Sequence, residues 1–376
     1  MTGPLEGVRV VDTTIARSGP TCSRQLADLG ADVIVVTRGR PGLGGSDEMN
    51  LSRNKRSVKL DLKDPAERSA LLALVGQADV FLENWRPEVK HRLGLSPDTL
   101  LASNPRLVYG SISGFGQDGP YADRPGVDQI AQGMGGLMAV TGPPGSGPWR
   151  VGVAVSDTVA GTFLAQGVIA ALFARERTGR GQWVHTSLLE TAIHLLDFQA
   201  ARWLIDGIDP HQEGNNHPTV PAMGTFATAD GVINIGVLAG FDSFARMVDR
   251  ADLADDPRFA TVAERVRHRD ELNSVIGEVL RTRSTQEWVD LLAEAFPCGP
   301  VYRVSEVFAD PQVGHLGMTA RVDGPDGRPI EVLTHPVHFE ATPASIRSGA
   351  PVPGQHTVEV LHGDGHPWTA TTADRR

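Results

Sequence analysis

Asp157 stands between Gly152-Val-Ala-Val-Ser156 and a run in which Val159, Phe163, Val168, Ala171 and Leu172 recur at helical spacing. A carboxylate in that place has two uses. It can cap the helix by accepting backbone N–H bonds, or, because a helix N-terminus keeps a carboxylate ionised, it can serve as a covalent nucleophile. The two roles do not exclude each other.

A second group of candidates is cationic. Arg17 lies in the turn Ile15-Ala-Arg-Ser-Gly-Pro20 that follows the first expected strand, and Arg38 follows the second. Further on, Arg53, Lys55, Arg56, Lys63, Arg86, Lys90 and Arg92 fall within or beside expected strand ends. Ligands of open α/β sheets bind beyond the carboxyl ends of strands, so these charges can converge on a phosphorylated nucleotide handle, with Trp85 against a flat base. A solvated basic face with a partly buried Trp explains the segment equally well. The first turn carries one glycine, without the Gly-x-Gly-x-x-Gly spacing, which argues against an NAD-type site.

The elements that must position these residues alternate. Strands are expected over Gly7–Asp12, Ala31–Val36, Ser57–Leu62, Ala78–Glu83, Arg106–Ser113 and Trp183–Ser187, and helices over Thr21–Leu29, Pro65–Val75 and Asp128–Met138. One more helix follows Asp157 until Thr178-Gly-Arg-Gly181 ends it, and another runs from Leu188 to about Ile205. A parallel sheet flanked by helices is the economical architecture. Residues 207–221, rich in Gly, Pro, Asn and His, form a linker or active-site loop. Beyond it come strands Gly224–Thr228 and Val232–Val237, helices Phe241–Val248, Arg267–Arg281 and Thr285–Ala295, and short strands Ala320–Val322 and Ile330–Thr334. The residues from Thr369 are expected to fray.

At 376 residues two domains are expected. With 40% hydrophobic and 21% charged residues, and no apolar run reaching the length of a bilayer span, the chain is expected to be soluble. Its start lacks the basic and apolar segments of a signal peptide, and Cys22 and Cys298 suit a reducing cytoplasm, so a cytoplasmic location is expected. A formal charge of −10 opposes binding to nucleic acid or a membrane. No metal site is expected.

The ordered segments Leu5-Glu-Gly-Val-Arg-Val-Val-Asp12, Asn54-Lys-Arg-Ser57, Leu60-Asp-Leu-Lys63, Glu83-Asn-Trp-Arg-Pro87, Ser111-Ile-Ser-Gly-Phe-Gly116, Gly152-Val-Ala-Val-Ser-Asp157 and Gly214-Asn-Asn-His-Pro218 resemble the class III CoA-transferases over nearly the whole chain. The resemblance implies a Rossmann-like large domain over 1–195, completed by about 330–376, a linker with a glycine-containing loop over 196–220, a smaller α+β domain over 221–300 and a return linker over 301–330. It implies an interlocked, ring-like homodimer. It makes Asp157 the catalytic aspartate and assigns CoA contacts to Arg17, Ser18, Arg38, Leu60, Lys63, Asn84, Trp85, Arg86, Arg92 and Asp128. No permanently bound cofactor is implied: acyl-CoA and small carboxylic acids are the substrates.

On this resemblance, Asp157 attacks an acyl-CoA thioester to give a mixed anhydride and CoA thiolate. The thiolate then attacks the aspartyl carbonyl, leaving an aspartyl-CoA thioester, and an acceptor acid reverses the sequence. Both intermediates keep the activation of the thioester, and their hydrolysis must be prevented. The loop Gly214-Asn215-Asn216 is the candidate for holding oxyanions, through the backbone N–H groups of Gly214 and Asn215, the alternative being a surface turn. Acyl-CoA racemases or epimerases of the same fold place a histidine in a Gly-His-Asp motif. Gly126-Val127-Asp128 stands there in this chain, which favours transfer over racemisation. His185, His194 and His217 read as structural or surface histidines. A noncatalytic CoA-binding protein is the remaining alternative.

Overall fold

The computed structural model describes residues 3–39 and 42–362, and the expected fraying from Thr369 lies outside them. The chain groups into two compact units, one made of residues up to Leu137, Arg150–Gly207 and the chain from Leu316, the other of Met138–Trp149 and Ile208–His315.

The first unit is built on β1 (Arg9–Asp12), β2 (Asp32–Thr37), β3 (Lys55–Lys59), β4 (Val80–Glu83), β5 (Val108–Ser113) and β6 (Trp183–Ser187). They form one sheet in the order β3-β2-β1-β4-β5-β6, every pair parallel. Successive strand residues supply opposite faces, as the pleat requires. Val10, Val33, Val80 and Val108 join the core that contains the helices Ser18–Asp28 and Val155–Thr178. Val11, Ile34, Phe81 and Tyr109 join the core over Leu71, Leu74 and Leu100. Burial on both faces explains why these strands read as unbroken apolar runs. The order reverses between β1 and β4, which opens a crevice at their carboxyl ends. Asn84 pins that crevice: its Oδ1 accepts from Ile15 N–H at 3.0 Å and its Nδ2 donates to Ile15 O at 2.7 Å. An antiparallel hairpin, β10 (Thr319–Asp323) and β11 (Pro329–Leu333), also belongs to this unit.

The second unit has a three-stranded antiparallel sheet. It pairs β7 (Met223–Ala227), β8 (Val232–Gly236) and β9 (Cys298–Pro300). Phe226, Ile233 and Ile235 pack with Phe244, Leu272, Trp288 and Leu292 of its helices.

Several boundaries differ from the sequence expectation. The helix expected over Leu188–Ile205 is two, Leu188–His194 and Phe198–Asp206, because Asp197 adopts φ +45. The helix expected over Asp128–Met138 stops at Met134, with Gly136 at φ +84. Met138–Trp149, assigned from sequence to the large domain, groups with the second unit, where Thr141 O accepts from Gln212 Nε2 at 2.7 Å. The helix Val155–Thr178, 24 residues long, is by length and composition apolar enough to cross a membrane, although Ser156, Asp157, Thr158, Thr162 and Gln166 interrupt its apolar residues. Its Ala160, Leu164, Ala165, Val168 and Ala171 are built into the main core of the first unit.

Candidate active site

The helix that carries Asp157 begins at Val155, so Asp157 occupies its first turn and is not the cap; Ala154 is, and offers no side-chain bond. The capping is done from elsewhere. Asp128, at the start of the helix Asp128–Met134, accepts the Ser156 N–H on Oδ1 at 2.9 Å. Its Oδ2 accepts from Gln132 Nε2 at 2.7 Å and Arg150 Nη2 at 3.4 Å. Gln132, fully buried, also donates to Val153 O at 3.2 Å and accepts from Val151 N–H at 2.8 Å. Both oxygens of Asp128, assigned from sequence to CoA, are therefore engaged within the protein.

Asp157 itself is half-buried. Burial, and then the like charge of Asp128, push its carboxyl up to about 6, against the pull of Arg17. Such a group is still mostly ionised at neutral pH yet more basic than an exposed aspartate. One turn further on, Gly161 lets the first helix approach: a Cβ there meets Ser18 O at 2.4 Å and Thr21 Cβ at 2.7 Å. That contact brings the Arg17-Ser18 turn beside the start of the Asp157 helix. The lone glycine of the turn, Gly19, is likewise a packing requirement, since a Cβ would lie 2.2 Å from Thr14 Cβ.

The cations divide into two sets. Arg53, Lys55 and Lys90 are interior residues: Arg53 Nη2 meets Asp28 at 2.6 Å, Lys55 Nζ meets Ser23 Oγ at 2.7 Å and Asp12 at 3.5 Å, and Lys90 Nζ meets Glu83 at 2.9 Å. Arg56 is held by Asp32 at 2.6 Å and Glu359 at 3.0 Å. These four brace the sheet ends and are not available to a ligand in this state. Arg38, Lys63, Arg86 and Arg92 are exposed at the carboxyl edge, Arg38 only 3.9 Å from Asp61 and Arg86 3.6 Å from Glu88. Arg17 is half-buried and paired with Asp47 at 2.6 Å. Leu60 and Ser18 are buried, and Trp85 is half-buried with its ring edge-on to Phe81.

In the second unit, Gly214 has φ +62 and its N–H donates to Gly142 O at 2.9 Å. The Asn216 N–H donates to Glu213 O at 3.1 Å, and its side-chain oxygen accepts from Asn273 at 3.0 Å. The Gly214 N–H is therefore not the free donor expected from sequence; among the described residues the Asn215 N–H has no such partner, its side chain bonding Thr225 at 2.7 Å.

The family model for "CoA-transferase family III" matches residues 5–357. The chain belongs to that family. It is 36% identical to succinate–glutarate CoA-transferase of Agrobacterium fabrum over 95% of either chain, and 33% identical to human succinyl-CoA:glutarate CoA-transferase over 95% of this chain and 85% of that protein. A CAIB/BAIF family protein from Brucella suis has the same fold, with a TM-score of 0.83, 33% identity and coverage of 96% of this chain and 99% of that one.

Within this family III enzyme, Val127 is 60% exposed at the position where racemase relatives are expected to carry histidine. His185 lies against Trp183 and His194 edge-on to Phe163, each as an aromatic contact. Cys22 is buried and its thiol pushed up by burial, and Cys298 is pushed up likewise, so neither is an activated nucleophile. No group of three His, Cys, Asp or Glu able to hold a metal occurs among the described residues. Sequence reasoning missed Gln132, Arg150 and Asp47. Only the alternation of polar Asp128 and Gln132 at i, i+4 on one helix face hinted at the first.

Proposed function

We propose that this enzyme transfers CoA from an acyl-CoA to a free carboxylic acid, with Asp157 as the nucleophile through aspartyl anhydride and aspartyl-CoA intermediates. The observation that carries the reading is Asp157 in a helix first turn, half-buried, its carboxyl raised to about 6 next to Asp128 and Arg17. A nucleophile of that basicity attacks a thioester readily and is ionised at neutral pH. Arg38, Lys63, Arg86 and Arg92 at the carboxyl edge receive the CoA phosphates, and Arg17 the acid or phosphate that displaces Asp47. Relatives named for succinate and glutarate point to small dicarboxylates as the acids.

A homodimer completes the proposal. The helix Phe198–Asp206 buries no residue, and Trp203, Leu204 and Ile205 are 56%, 78% and 80% exposed, an apolar face suited to a second copy of the chain.

The test is to incubate the protein with succinyl-CoA and other acyl-CoA donors, treat it with hydroxylamine and locate the adduct by mass spectrometry. Modification at Asp157, absent from Asp157→Ala, is expected; CoA exchange that survives in Asp157→Ala removes the mechanism. Binding of CoA with neither adduct nor exchange from any donor would leave a noncatalytic protein.

A further inference from the structure

We propose that Asp128 is a positioning residue for the reaction: tied to Gln132, it fixes the turn that presents Asp157 and holds a negative charge against it. The proposal rests on the reading of Asp157 as nucleophile. Its geometry does not. Asp128 Oδ1 takes the Ser156 N–H, while Gln132 joins Asp128 Oδ2, Val153 O and Val151 N–H in one buried side chain. The residues immediately before Asp157 are thus held at three backbone positions by two side chains of one helix.

A neutral asparagine can still accept the Ser156 N–H, but its amide nitrogen would face the Gln132 and Arg150 donors, so Asp128→Asn loosens the clamp as well as removing the charge, and Gln132→Leu is the control that loosens the clamp alone. The charge acts on its neighbour. Its counterion among the described residues, Arg150, lies 3.4 Å away and is 42% exposed, where solvent screens it, leaving Asp128 only partly neutralised. The other charge facing Asp157 is Arg17, shared with Asp47. When a carboxylate oxygen of Asp157 bonds to the acyl carbon and the C–S bond breaks, the electron pair leaves with the sulfur of CoA. Negative charge leaves position 157, and its repulsion with Asp128 ends. When the thiolate attacks the aspartyl carbonyl, the bond from that carbonyl carbon to the bridging oxygen breaks and the pair departs on that oxygen as the carboxylate of the first acid, so position 157 again stays neutral. Asp128 therefore disfavours the resting carboxylate relative to both covalent states, and it keeps the nucleophile basic.

Two measurements separate charge from clamp. The first follows the Asp157 carboxyl by 13C NMR in protein labelled at aspartate carboxyls, assigned by difference with Asp157→Asn, from about pH 4 to about pH 8. The second follows adduct formation at Asp157 from succinyl-CoA over the same range. Asp128→Asn is expected to lower the Asp157 midpoint by about one pH unit, with the acid limb of adduct formation moving equally and its plateau falling roughly tenfold. Gln132→Leu keeps the charge and loses the clamp, so its midpoint stays within a few tenths of a unit of the wild-type value while its plateau and melting temperature fall. A midpoint unmoved in Asp128→Asn, or moved as far in Gln132→Leu, overturns the proposal. A shifted midpoint together with an adduct that persists in Asp157→Ala defeats the nucleophile reading and leaves the electrostatic clamp standing.

Discussion

Two buried acids at the carboxyl end of the same sheet are treated in opposite ways. Beneath the first turn, Asp12 is enclosed with Lys55, both side chains 0% exposed, and its oxygens also take the Thr14 hydroxyl at 2.6 Å and the Ser23 hydroxyl. Asp157 is half-buried, its carboxyl feels the charge of a second acid, and the cation that opposes this, Arg17, is committed to Asp47. Where every charge has a partner, the acid is scaffold; where the charges are left out of balance, the acid is held more basic.

The comparison can be broken at either end. The largest effect is expected at the unbalanced one: Asp157→Ala should lower CoA transfer by roughly three orders of magnitude or more, measured as turnover by mass spectrometry, with little loss of CoA affinity. Next in size, Lys55→Met leaves Asp12 buried without its countercharge and should cost about 3 kcal/mol, seen as a fall in denaturation midpoint. An unchanged midpoint would remove Asp12 from the scaffold. Third, Asp157→Asn should stabilise the protein by about 1–2 kcal/mol at neutral pH. The sign follows from a folded value of about 6 against an ordinary 3.8: folding takes up a proton between them, so stability declines as pH rises through that window. The gain should therefore vanish below about pH 4 in melting curves. The smallest structural effect is at Arg38, 66% exposed and 3.9 Å from Asp61: Arg38→Ala should leave the melting temperature unchanged yet weaken CoA binding about fivefold by calorimetry.

The inner strands of the sheet were legible because they are apolar on both faces, and the more polar edge strand Trp183–Ser187 was also placed to the residue. Pro65–Gly76 was nearly so, with Asp64 capping and Pro65 at its first position. The helices Gly45–Ser52, Pro87–Leu93 and Pro97–Ser103 were not read, being short and weakly periodic. At the candidate site, Asp157 was singled out by the family resemblance, since its place before an apolar helix alone reads more readily as a cap. The duties of its neighbours could not. Lys55, Lys90 and Arg53 look in sequence like any cation near a strand end, and only the fold shows them facing inward to Asp12, Glu83 and Asp28. Asp128 and Gln132 are separated from Val151–Ser156 by a long loop, so a clamp between them is a tertiary fact.

Gly161 carries a consequence for anyone who would alter this protein. Because even a methyl group at that position collides with the Ser18 carbonyl oxygen, the spacing of two helices leaves no side-chain alternative one turn beyond Asp157. Random mutagenesis aimed at new acceptor acids should find this codon fixed in every active clone, while Thr158 and Thr162, exposed on the same helix, drift freely.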